Sequence, residues 1–199
     1  MRTLEIKGIT GTSRIIVGER LENLENYIPA DKVVIITDNN VERIYGRGFP
    51  QCEVIQISTG EKIKNIETLK YIYEKLLAIE ADRSVFIVGI GGGIVCDIAG
   101  FVASTYLRGV GFGFVCSTLL ADVDASVVGN YVVNFNVYKI MICNFNKPEF
   151  VICDMTLLKT MPKREVLCGF GEIANHAFIG DAVMCDYLEV NNEKALALD

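Results

Sequence analysis

The chain has 199 residues, of which 51% are hydrophobic, and its formal net charge at pH 7 is −6. The negative charge argues against nucleic acid as the main partner, because binding to a phosphate backbone needs a basic surface. The apolar runs are too short for a transmembrane helix, which needs roughly 20 residues. Since the opening MRTLEIKG also lacks the apolar core of a signal peptide, we expect a cytoplasmic protein that does not associate with membranes.

The first ninety or so residues predict strands that alternate with helices. RTLEIKG and SRIIVG alternate apolar and polar residues, which is typical of half-buried strands. Apolar runs typical of buried strands follow in KVVIITD (32–38), CEVIQIS (52–58) and SVFIVGI (84–90). Helices are predicted from Asn39 or Asn40 onward and over 65–81, where apolar residues recur at helical spacing.

The same alternation continues into the second half of the chain. GGIVCDIAGFVASTYL predicts a helix, GFGFVC (111–116) a strand, and Ser117 with Thr118 the start of the helix TLLADVDAS. The stretch NYVVNFNVYKIMICNF looks irregular, with short extended pieces. EFVICD (149–154) predicts one more strand with a short helix behind it, and a long helical run into an acidic tail begins at Pro162.

Strands alternating with helices predict an α/β protein with a Rossmann-like, doubly wound, mainly parallel sheet. The change near Pro162 to helix after helix predicts a domain boundary. We therefore expect a nucleotide-binding domain over 1–160 and the beginning of an all-helical second domain over 161–199. The seven cysteines contain no C-x-x-C pair and predict buried, reduced thiols rather than disulfides or metal ligands.

One segment, VGIGGGIVCDIAGF (88–101), has the pattern of a strand, a glycine turn and a helix. Such a unit directs backbone N–H groups and the positive end of the helix dipole at one point, which suits an anion. Gly89 and Gly91 fit the dinucleotide fingerprint G-x-G-x-x-G, but Ile94 occupies its third glycine position. From these residues alone, a phosphate site and a plain tight connection both remain open.

Further polar residues follow the other predicted strands, where a doubly wound sheet binds its ligands. Asp38 could bind the ribose of an adenine nucleotide and repel a 2′-phosphate, or it could cap the next helix. Glu61 and Lys64 fit a surface ion pair as well as a binding site. Glu172 and His176 lie four residues apart, a spacing that suits either two metal ligands or a solvated pair.

Four stretches resemble the 3-dehydroquinate synthase family: TDNNV, GGGIVCDIAGFVASTYLRG, STLLADVDASV and NKPEFVICDMTLLKTMPKREVLCGFGEI. The resemblance runs in matching order from about residue 32 to about residue 181. The family belongs to the sugar-phosphate cyclases and is related in fold to the iron-type polyol dehydrogenases. It implies an NAD-dependent conversion of a seven-carbon keto-sugar acid phosphate (DAHP) into 3-dehydroquinate with loss of phosphate, with zinc or cobalt as Lewis acid.

The resemblance also implies roles for individual residues. NAD would be bound by Asp38, Asn40, Glu61, Lys64, Gly91, Gly92, Gly93, Asp97, Ser117, Thr118 and Leu120. Asp124 would meet the nicotinamide and the substrate, and Lys139 the cofactor or the substrate. Arg108 would reach the substrate phosphate of a neighbouring subunit, which implies a homodimer. Glu172 would be a carboxylate ligand of the metal, and His176 would be structural.

The chain departs from the family pattern around the reactive centre. Family lysines are replaced by Asn130 and Asn175, and a family asparagine by Ile140. An amide does not replace an ammonium, because the charge-assisted hydrogen bonds to carboxylate or phosphate are lost. The family's second domain, with two histidine ligands of zinc, has no counterpart in the 199 residues, so we expect this chain alone to show no cyclisation activity.

Three alternatives to an inactive cyclase half follow from the same residues. The chain could be a non-catalytic NAD-binding module, a diverged sugar-phosphate cyclase with another substrate, or a relative of the iron-type polyol dehydrogenases. The helix after Pro162 carries apolar residues that we expect to be partly exposed, namely Val166, Leu167, Phe170, Ile173 and Phe178. Exposed apolar patches promote association, so oligomers or low solubility are also expected.

Overall fold

The computed structural model describes residues 1–8 and 11–198. Within these residues one sheet has seven strands in the order β1-β2-β9-β6-β5-β3-β4. They are β1 (Arg2–Gly8), β2 (Gly11–Val17), β3 (Val33–Asp38), β4 (Glu53–Ile57), β5 (Phe86–Gly91), β6 (Gly111–Cys116) and β9 (Phe150–Cys153). Only the β1–β2 pair is antiparallel among them. The expected Rossmann-like, mainly parallel sheet is therefore confirmed.

Five helices connect and follow the strands in the described part of the chain. They are α1 (Asn39–Tyr45), α2 (Ile66–Ala78), α3 (Gly93–Thr105), α4 (Lys163–Gly180) and α5 (Ala182–Ala197). None of the described helices is both long and apolar enough to cross a membrane. α1 and α3 connect neighbouring strands and α2 connects β4 to β5 across β3, whereas α4 and α5 form a helical pair after the last strand of the sheet.

The connections on the two sides of β3 run in opposite directions across the sheet. From β3 it runs through α1 to β4 at one edge, and then through α2 to β5 on the other side of β3. This is the topological switch point of a doubly wound fold, where connections diverge and leave a crevice beyond the carboxyl ends of the strands. Asp38 ends β3 and the glycine turn ends β5, so both lie at this crevice.

The core has two layers because the parallel strands are apolar on both faces. Val34 and Ile36 of β3 pack toward α2 and α3, whereas Ile35 faces the opposite layer with Val41 of α1. All three β3 side chains have 0% exposure. Burying each contributes roughly 1.5–3 kcal/mol, which stabilises the strand ends that carry the polar residues.

Residues 130–145 are not irregular, contrary to the sequence-based expectation. They form a separate antiparallel hairpin of β7 (Asn130–Phe135) and β8 (Tyr138–Phe145). The hairpin packs on α3, where the ring of Tyr131 covers Gly100: a Cβ at that glycine would lie 2.5 Å from the ring. Asparagines and a bulge break the alternation of the two strands, and this hides them from a search for period-two patterns.

The helix α4 is partly covered by the rest of the protein. Val166 is 5% exposed, so its expected exposure was wrong, and Phe170 with Ile173 are half-buried. Leu167 and Phe178 are 48% and 82% exposed, as expected. The difference arises because α4 packs one face on the turn after β6: a Cβ at Gly169 would lie 2.7 Å from the Leu119 side chain.

Candidate functional site

A cleft of about 660 Å³ lies beyond the carboxyl ends of β3, β4, β5 and β6. Most residues proposed for the cofactor line it, namely Asp38, Asn40, Glu61, Lys64, Gly92, Gly93, Asp97, Ser117, Thr118 and Leu120, together with Asp124. Gly91, Arg108, Lys139 and Glu172 do not line the cleft. One crevice therefore brings together predicted residues that are up to 86 positions apart in the sequence, from Asp38 to Asp124.

The glycine turn leads into the N-terminus of α3 at the floor of this cleft. Gly92 precedes the helix and no side chain caps it, nor does the first turn contain an acidic residue. The first N–H groups of a helix have no partner within the helix, so this end presents uncapped donors and a positive dipole to the cleft. Such an end can bind a phosphate or pyrophosphate group.

The glycines of the turn are required by close packing. A Cβ at Gly91 would lie 2.5 Å from the Val95 side chain, and a Cβ at Gly92 would lie 3.0 Å from Thr118. Their φ angles are not in the left-handed region, so a special backbone conformation does not explain them. The turn therefore packs directly against the segment that begins at Ser117, whose N–H donates to the Gly91 carbonyl at 2.9 Å.

Asp38 caps helix α1, which confirms one of the two roles predicted for it. Its Oδ1 accepts hydrogen bonds from the N–H groups of Asn40 at 2.8 Å and Val41 at 3.1 Å. Both bonds use the same oxygen, and Asp38 also lines the cleft. Since Oδ2 accepts no hydrogen bond from the described residues, the cap leaves one carboxylate oxygen for a ligand hydroxyl.

Lys64 forms an ion pair with Asp97, and not with Glu61 as the surface-pair interpretation suggested. Lys64 is 9% and Asp97 is 7% exposed. Burial raises the pKa of Asp97, and the neighbouring Lys64 opposes that rise. Asp97 also accepts a hydrogen bond from the Val132 N–H at 3.3 Å, while Glu61 accepts one from Asn134 at 2.8 Å. The hairpin thus supplies partners that the local sequence does not contain.

The segment after β6 is a π-helical turn over Ala121–Ala125 rather than the predicted α-helix. Thr118 Oγ1 accepts the Ala121 N–H at 3.3 Å, so its expected place at the start of this turn is confirmed. π-turns often occur at functional sites, because they change which side chains face inward. Here the half-buried Asp124 lines the cleft. Burial raises the pKa of Asp124, as does the nearby Glu172 carboxylate, whereas His176 lowers it.

Asp122 lies in the same turn, and sequence reasoning did not select it. Both of its carboxylate oxygens are buried. Burial, followed by the neighbouring Cys153 and Asp154, raises the pKa of Asp122 to about 10. This carboxyl group is therefore neutral at pH 7. The thiols of Cys116 and Cys153 around it are free and buried, as is Cys96, which agrees with the prediction. The predicted burial is wrong for Cys143 and Cys168, which are exposed, and Cys52 and Cys185 are half-buried.

The remaining predicted residues lie outside the cleft. Glu172 of α4 accepts a hydrogen bond from Asn175 at 3.3 Å and lies 3.5 Å from His176 Nε2. Arg108 is exposed just beyond the C-terminus of α3, which is roughly 20 Å from the cleft at the helix N-terminus. It therefore cannot reach the cleft of its own chain. Lys139 is exposed on β8.

The described residues do not form a metal site. Among residues 1–8 and 11–198 there is no group of three or more His, Cys, Asp or Glu side chains arranged to hold a metal ion. A catalytic zinc takes three protein ligands and keeps one position open. Glu172 with His176 supplies at most two, and their contact with each other at 3.5 Å is that of a side-chain pair.

Several residues that line the cleft were not predicted from the sequence. Ser58, Thr59 and Gly60 follow β4, and Thr160 to Pro162 with Glu165 follow β9. Tyr45 also lines the cleft, and its hydroxyl contacts the Leu157 carbonyl at 3.0 Å and Thr160 Oγ1 at 2.5 Å. The only sequence signal for them is their place directly after a predicted strand or short helix, which is shared by many loops without function.

The cleft is strongly acidic. Its lining contains five carboxylates, namely Asp38, Glu61, Asp97, Asp124 and Glu165, against one basic side chain, Lys64. Since Lys64 pairs with Asp97, no free side-chain cation lines the described cleft. An anionic ligand must therefore be held by the backbone donors at the start of α3.

Fold and site together define a Rossmann-like α/β protein with a nucleotide-type cleft at its switch point. The family model described as 3-dehydroquinate synthase N-terminal matches residues 54–168, more than half of the chain. The chain therefore belongs to the 3-dehydroquinate synthase family, as the sequence motifs implied.

Individual relatives agree with this assignment. The 3-dehydroquinate synthase of Alkaliphilus metalliredigens is 41% identical over 176 residues, which cover 85% of this chain and 49% of that protein. A solved structure of 2-deoxy-scyllo-inosose synthase complexed with carbaglucose-6-phosphate, NAD⁺ and Co²⁺ has a TM-score of 0.77 at 28% identity. The match covers 87% of this chain and 50% of the chain in that structure. The chain spans about half the length of the curated relatives it matches.

The iron-type dehydrogenases share the fold with this chain. A probable glycerol dehydrogenase from Sinorhizobium meliloti has a TM-score of 0.67 at 16% identity, covering 91% of this chain and 56% of its own. At that identity the likeness concerns the fold alone. The dehydrogenase alternative therefore has less support than the cyclase family.

Proposed function

We propose that this chain is the NAD-binding half of a sugar-phosphate cyclase of the 3-dehydroquinate synthase type. The observation that carries the proposal is the cleft itself, in which Asp38, the uncapped N-terminus of α3 and Asp124 face one space at the switch point. A structural neighbour of the chain was solved with NAD⁺ and Co²⁺ bound. The whole protein would convert DAHP into 3-dehydroquinate with loss of phosphate, in the cytoplasm and as a homodimer.

The residues of the cleft suggest an orientation for NAD. The free Oδ2 of Asp38 would accept hydrogen bonds from the adenosine ribose, and its charge would exclude the 2′-phosphate of NADP. The N–H groups after Gly92 would bind the pyrophosphate, with Ser117 and Thr118 on the opposite wall. The nicotinamide end would then lie toward Asp124, whose charge suits the cationic ring of NAD⁺.

When bound, NAD supplies a reversible oxidation of a substrate hydroxyl, which acidifies the neighbouring C–H bond. The chain's own residues orient and shield this chemistry. Burial, and after it the nearby Glu172 carboxylate, raise the pKa of Asp124, the residue of this chain that would contact the reacting end of the cofactor. Because the described residues do not fit a divalent metal, no step of the reaction is assigned to one.

The residues of this chain that would face the substrate include few groups able to bind a phosphate. Asn130 is half-buried with a side-chain oxygen that lacks a partner, and Ile140 is exposed on β8. Asn175 donates to Glu172, which makes it a partner of a carboxylate and not of a substrate anion. We therefore expect residues 161–199 to be the start of a helical domain, and the 199-residue chain to lack cyclisation activity. Arg108, which lies at the end of α3 opposite to the cleft, would serve the partner subunit.

Titration calorimetry of the purified chain with NAD⁺, with NADP⁺ as the matched ligand, tests the proposal. We expect NAD⁺ to bind and NADP⁺ to bind at least tenfold more weakly, and Asp38→Asn to narrow this difference. A charged partner of a hydrogen bond contributes about 1.5–3 kcal/mol, which is consistent with tenfold or more. Absence of NAD⁺ binding in the wild-type chain would refute the proposal.

A non-catalytic NAD-binding module is the second candidate, and the asparagines at positions 130 and 175, where the family has substrate-binding lysines, favour it. An assay with DAHP, NAD⁺ and Zn²⁺ or Co²⁺ separates the candidates. Formation of 3-dehydroquinate by the 199-residue chain would contradict its expected inactivity. Metal-dependent reduction of NAD⁺ by glycerol would instead support the dehydrogenase alternative.

A further inference from the structure

Asn134, at the end of β7, connects the hairpin to the rim of the cleft. Its N–H donates to the Lys64 carbonyl at 2.8 Å, and it forms an isolated parallel bridge with Asn65. Its side-chain Nδ2 donates to Glu61 Oε1 at 2.8 Å. Both backbone and side chain of one residue therefore hold the 61–65 segment, which supplies Glu61 and Lys64 to the cleft.

The same side chain also holds a bulge in β8. Val133 pairs with Ile142 and Phe135 with Tyr138, so that Asn134 alone faces the three residues 139–141. The Ile140 N–H donates to Asn134 Oδ1 at 3.1 Å. Ile140 has a φ of 58°, a left-handed conformation that is costly for a β-branched residue. Such a conformation persists only where surrounding contacts impose it, and the Asn134 amide is the side-chain contact that does so here.

The amide matches these two neighbours in a way that few side chains can. Glu61 requires a donor, whereas the Ile140 N–H requires an acceptor. A primary amide supplies one of each at a fixed separation, whereas a carboxylate supplies acceptors only. The resulting chain of contacts runs from a cleft-lining carboxylate, through Asn134, to the backbone next to Lys139.

We propose that Asn134 is a positioning residue that fixes the Lys139-bearing bulge of β8 to the Glu61 side of the nucleotide cleft. The role of Glu61 and Lys139 in ligand binding rests on the proposed function, but the positioning itself does not. Without Asn134, the bulge loses the contact that imposes its strained conformation, and Glu61 loses its donor. Lys139 would then sample several positions relative to the cleft.

An exchange of polarity between residues 134 and 61 tests this directly. In Asn134→Asp, the new carboxylate can still accept the Ile140 N–H but repels Glu61. In the double variant Glu61→Gln/Asn134→Asp, the amide introduced at position 61 can donate to the carboxylate introduced at position 134, so both contacts are rebuilt with reversed polarity. Asn136→Asp is the matched control, because Asn136 is exposed in the adjacent turn and its side chain makes no hydrogen bond in the described structure.

The primary readout is amide hydrogen exchange of Ile140 in the chain without nucleotide. We expect Asn134→Asp to lower its protection by about tenfold, because repulsion from Glu61 turns the new carboxylate away from the Ile140 N–H, and the double variant to restore most of it, since such a contact is worth about that factor. Asn136→Asp should leave the protection unchanged. Unchanged protection in Asn134→Asp would overturn the proposal, as would a folded double variant that exchanges as fast as the single one.

A titration with NAD⁺ separates this proposal from the proposed function. We expect Asn134→Asp to weaken NAD⁺ binding by about fivefold, and the double variant to recover part of the loss. If the wild-type chain binds no NAD⁺, the proposed function fails, while exchange at Ile140 still decides the role of Asn134. If Asn134→Asp does not fold, Asn134→Ala removes the side-chain acceptor of the Ile140 N–H outright, and unchanged exchange at Ile140 in that variant overturns the proposal.

Discussion

Two regions of the molecule differ in how completely they are packed. The cleft floor rests on β3, β5 and β6, whose central side chains have 0% exposure, as Ile35, Val88 and Phe114 illustrate. The outer surface of β8 and the α4–α5 pair exposes apolar side chains instead: Ile140 is 64% exposed, and Phe178 and Val190 are each 82% exposed. Lys139 and Glu172 lie in the second region, whereas Asp124 and most residues that the resemblance assigns to the nucleotide line the cleft above the first.

The two regions also differ in the contacts that stabilise them. The first region buries its own apolar surface between two layers, so its geometry is fixed without further contacts. The α5 helix has no buried residue in the described structure, and exposed apolar patches of this extent mark surfaces that associate. We infer that the cleft is preformed, whereas the outer surface obtains its final environment from contacts beyond those described.

The largest expected effect comes from breaking the buried ion pair under the cleft. Lys64→Met should lower the free energy of unfolding by about 3–5 kcal/mol, because it leaves the Asp97 carboxylate buried without its partner. Urea denaturation measures the loss. The double variant Lys64→Met/Asp97→Leu should recover most of it, and a loss in the double variant as large as in the single one would show that the charge pair is not its source.

A matched pair of glycine substitutions sharpens the comparison between the regions. Gly100→Ala places a methyl group against the Tyr131 ring, where a Cβ would lie only 2.5 Å from it. Overpacking should destabilise the chain by about 1–3 kcal/mol. Gly171→Ala in α4 meets no atom within 4 Å and should stabilise by up to ~1 kcal/mol through helix propensity. Thermal denaturation that gives both variants the same sign would contradict the contrast between the two regions.

The neutral carboxyl group of Asp122 predicts a dependence on pH. Its pKa in the folded chain is about 10, well above that of an exposed carboxyl group. Because the folded chain favours the neutral form, the contribution of Asp122 to the free energy of unfolding is complete below about pH 4. It declines as the pH rises toward 10. Asp122→Asn removes this dependence, so the free energy of unfolding of the variant relative to the wild type should rise with pH between these limits. A difference in the free energy of unfolding between the variant and the wild type that stays the same at every pH would contradict this prediction.

The smallest effect on stability is expected in the exposed region. Phe178→Ser on α4 should change the free energy of unfolding by less than about 0.5 kcal/mol, since the side chain is 82% exposed. Light scattering should nevertheless detect less self-association than in the wild type. The matched control is Phe114→Ser, a fully buried phenylalanine whose loss should cost about 3–5 kcal/mol. Equal costs for the two would mean that α4 is covered in solution.

The sequence by itself determined the sheet and the floor of the cleft. Apolar runs predicted β3, β5 and β6, and Asp38 with the glycine turn was predicted at their carboxyl ends. These features are local: a buried parallel strand must be apolar on both faces, and its ligand-facing residues must follow directly after it. The motif order then indicated the family, which the comparisons confirm.

Only the tertiary structure decided which side chains meet across the chain. Lys64 pairs with Asp97 rather than with Glu61, Asn134 reaches back to Glu61, and Gly169 packs against Leu119 in the turn after β6. The partners in each case are separated by dozens of residues, so no local periodicity encodes them. Such pairs depend on the docking of the hairpin and α4 onto α3 and its neighbouring turn, where packing contacts between distant segments fix the geometry of the cleft.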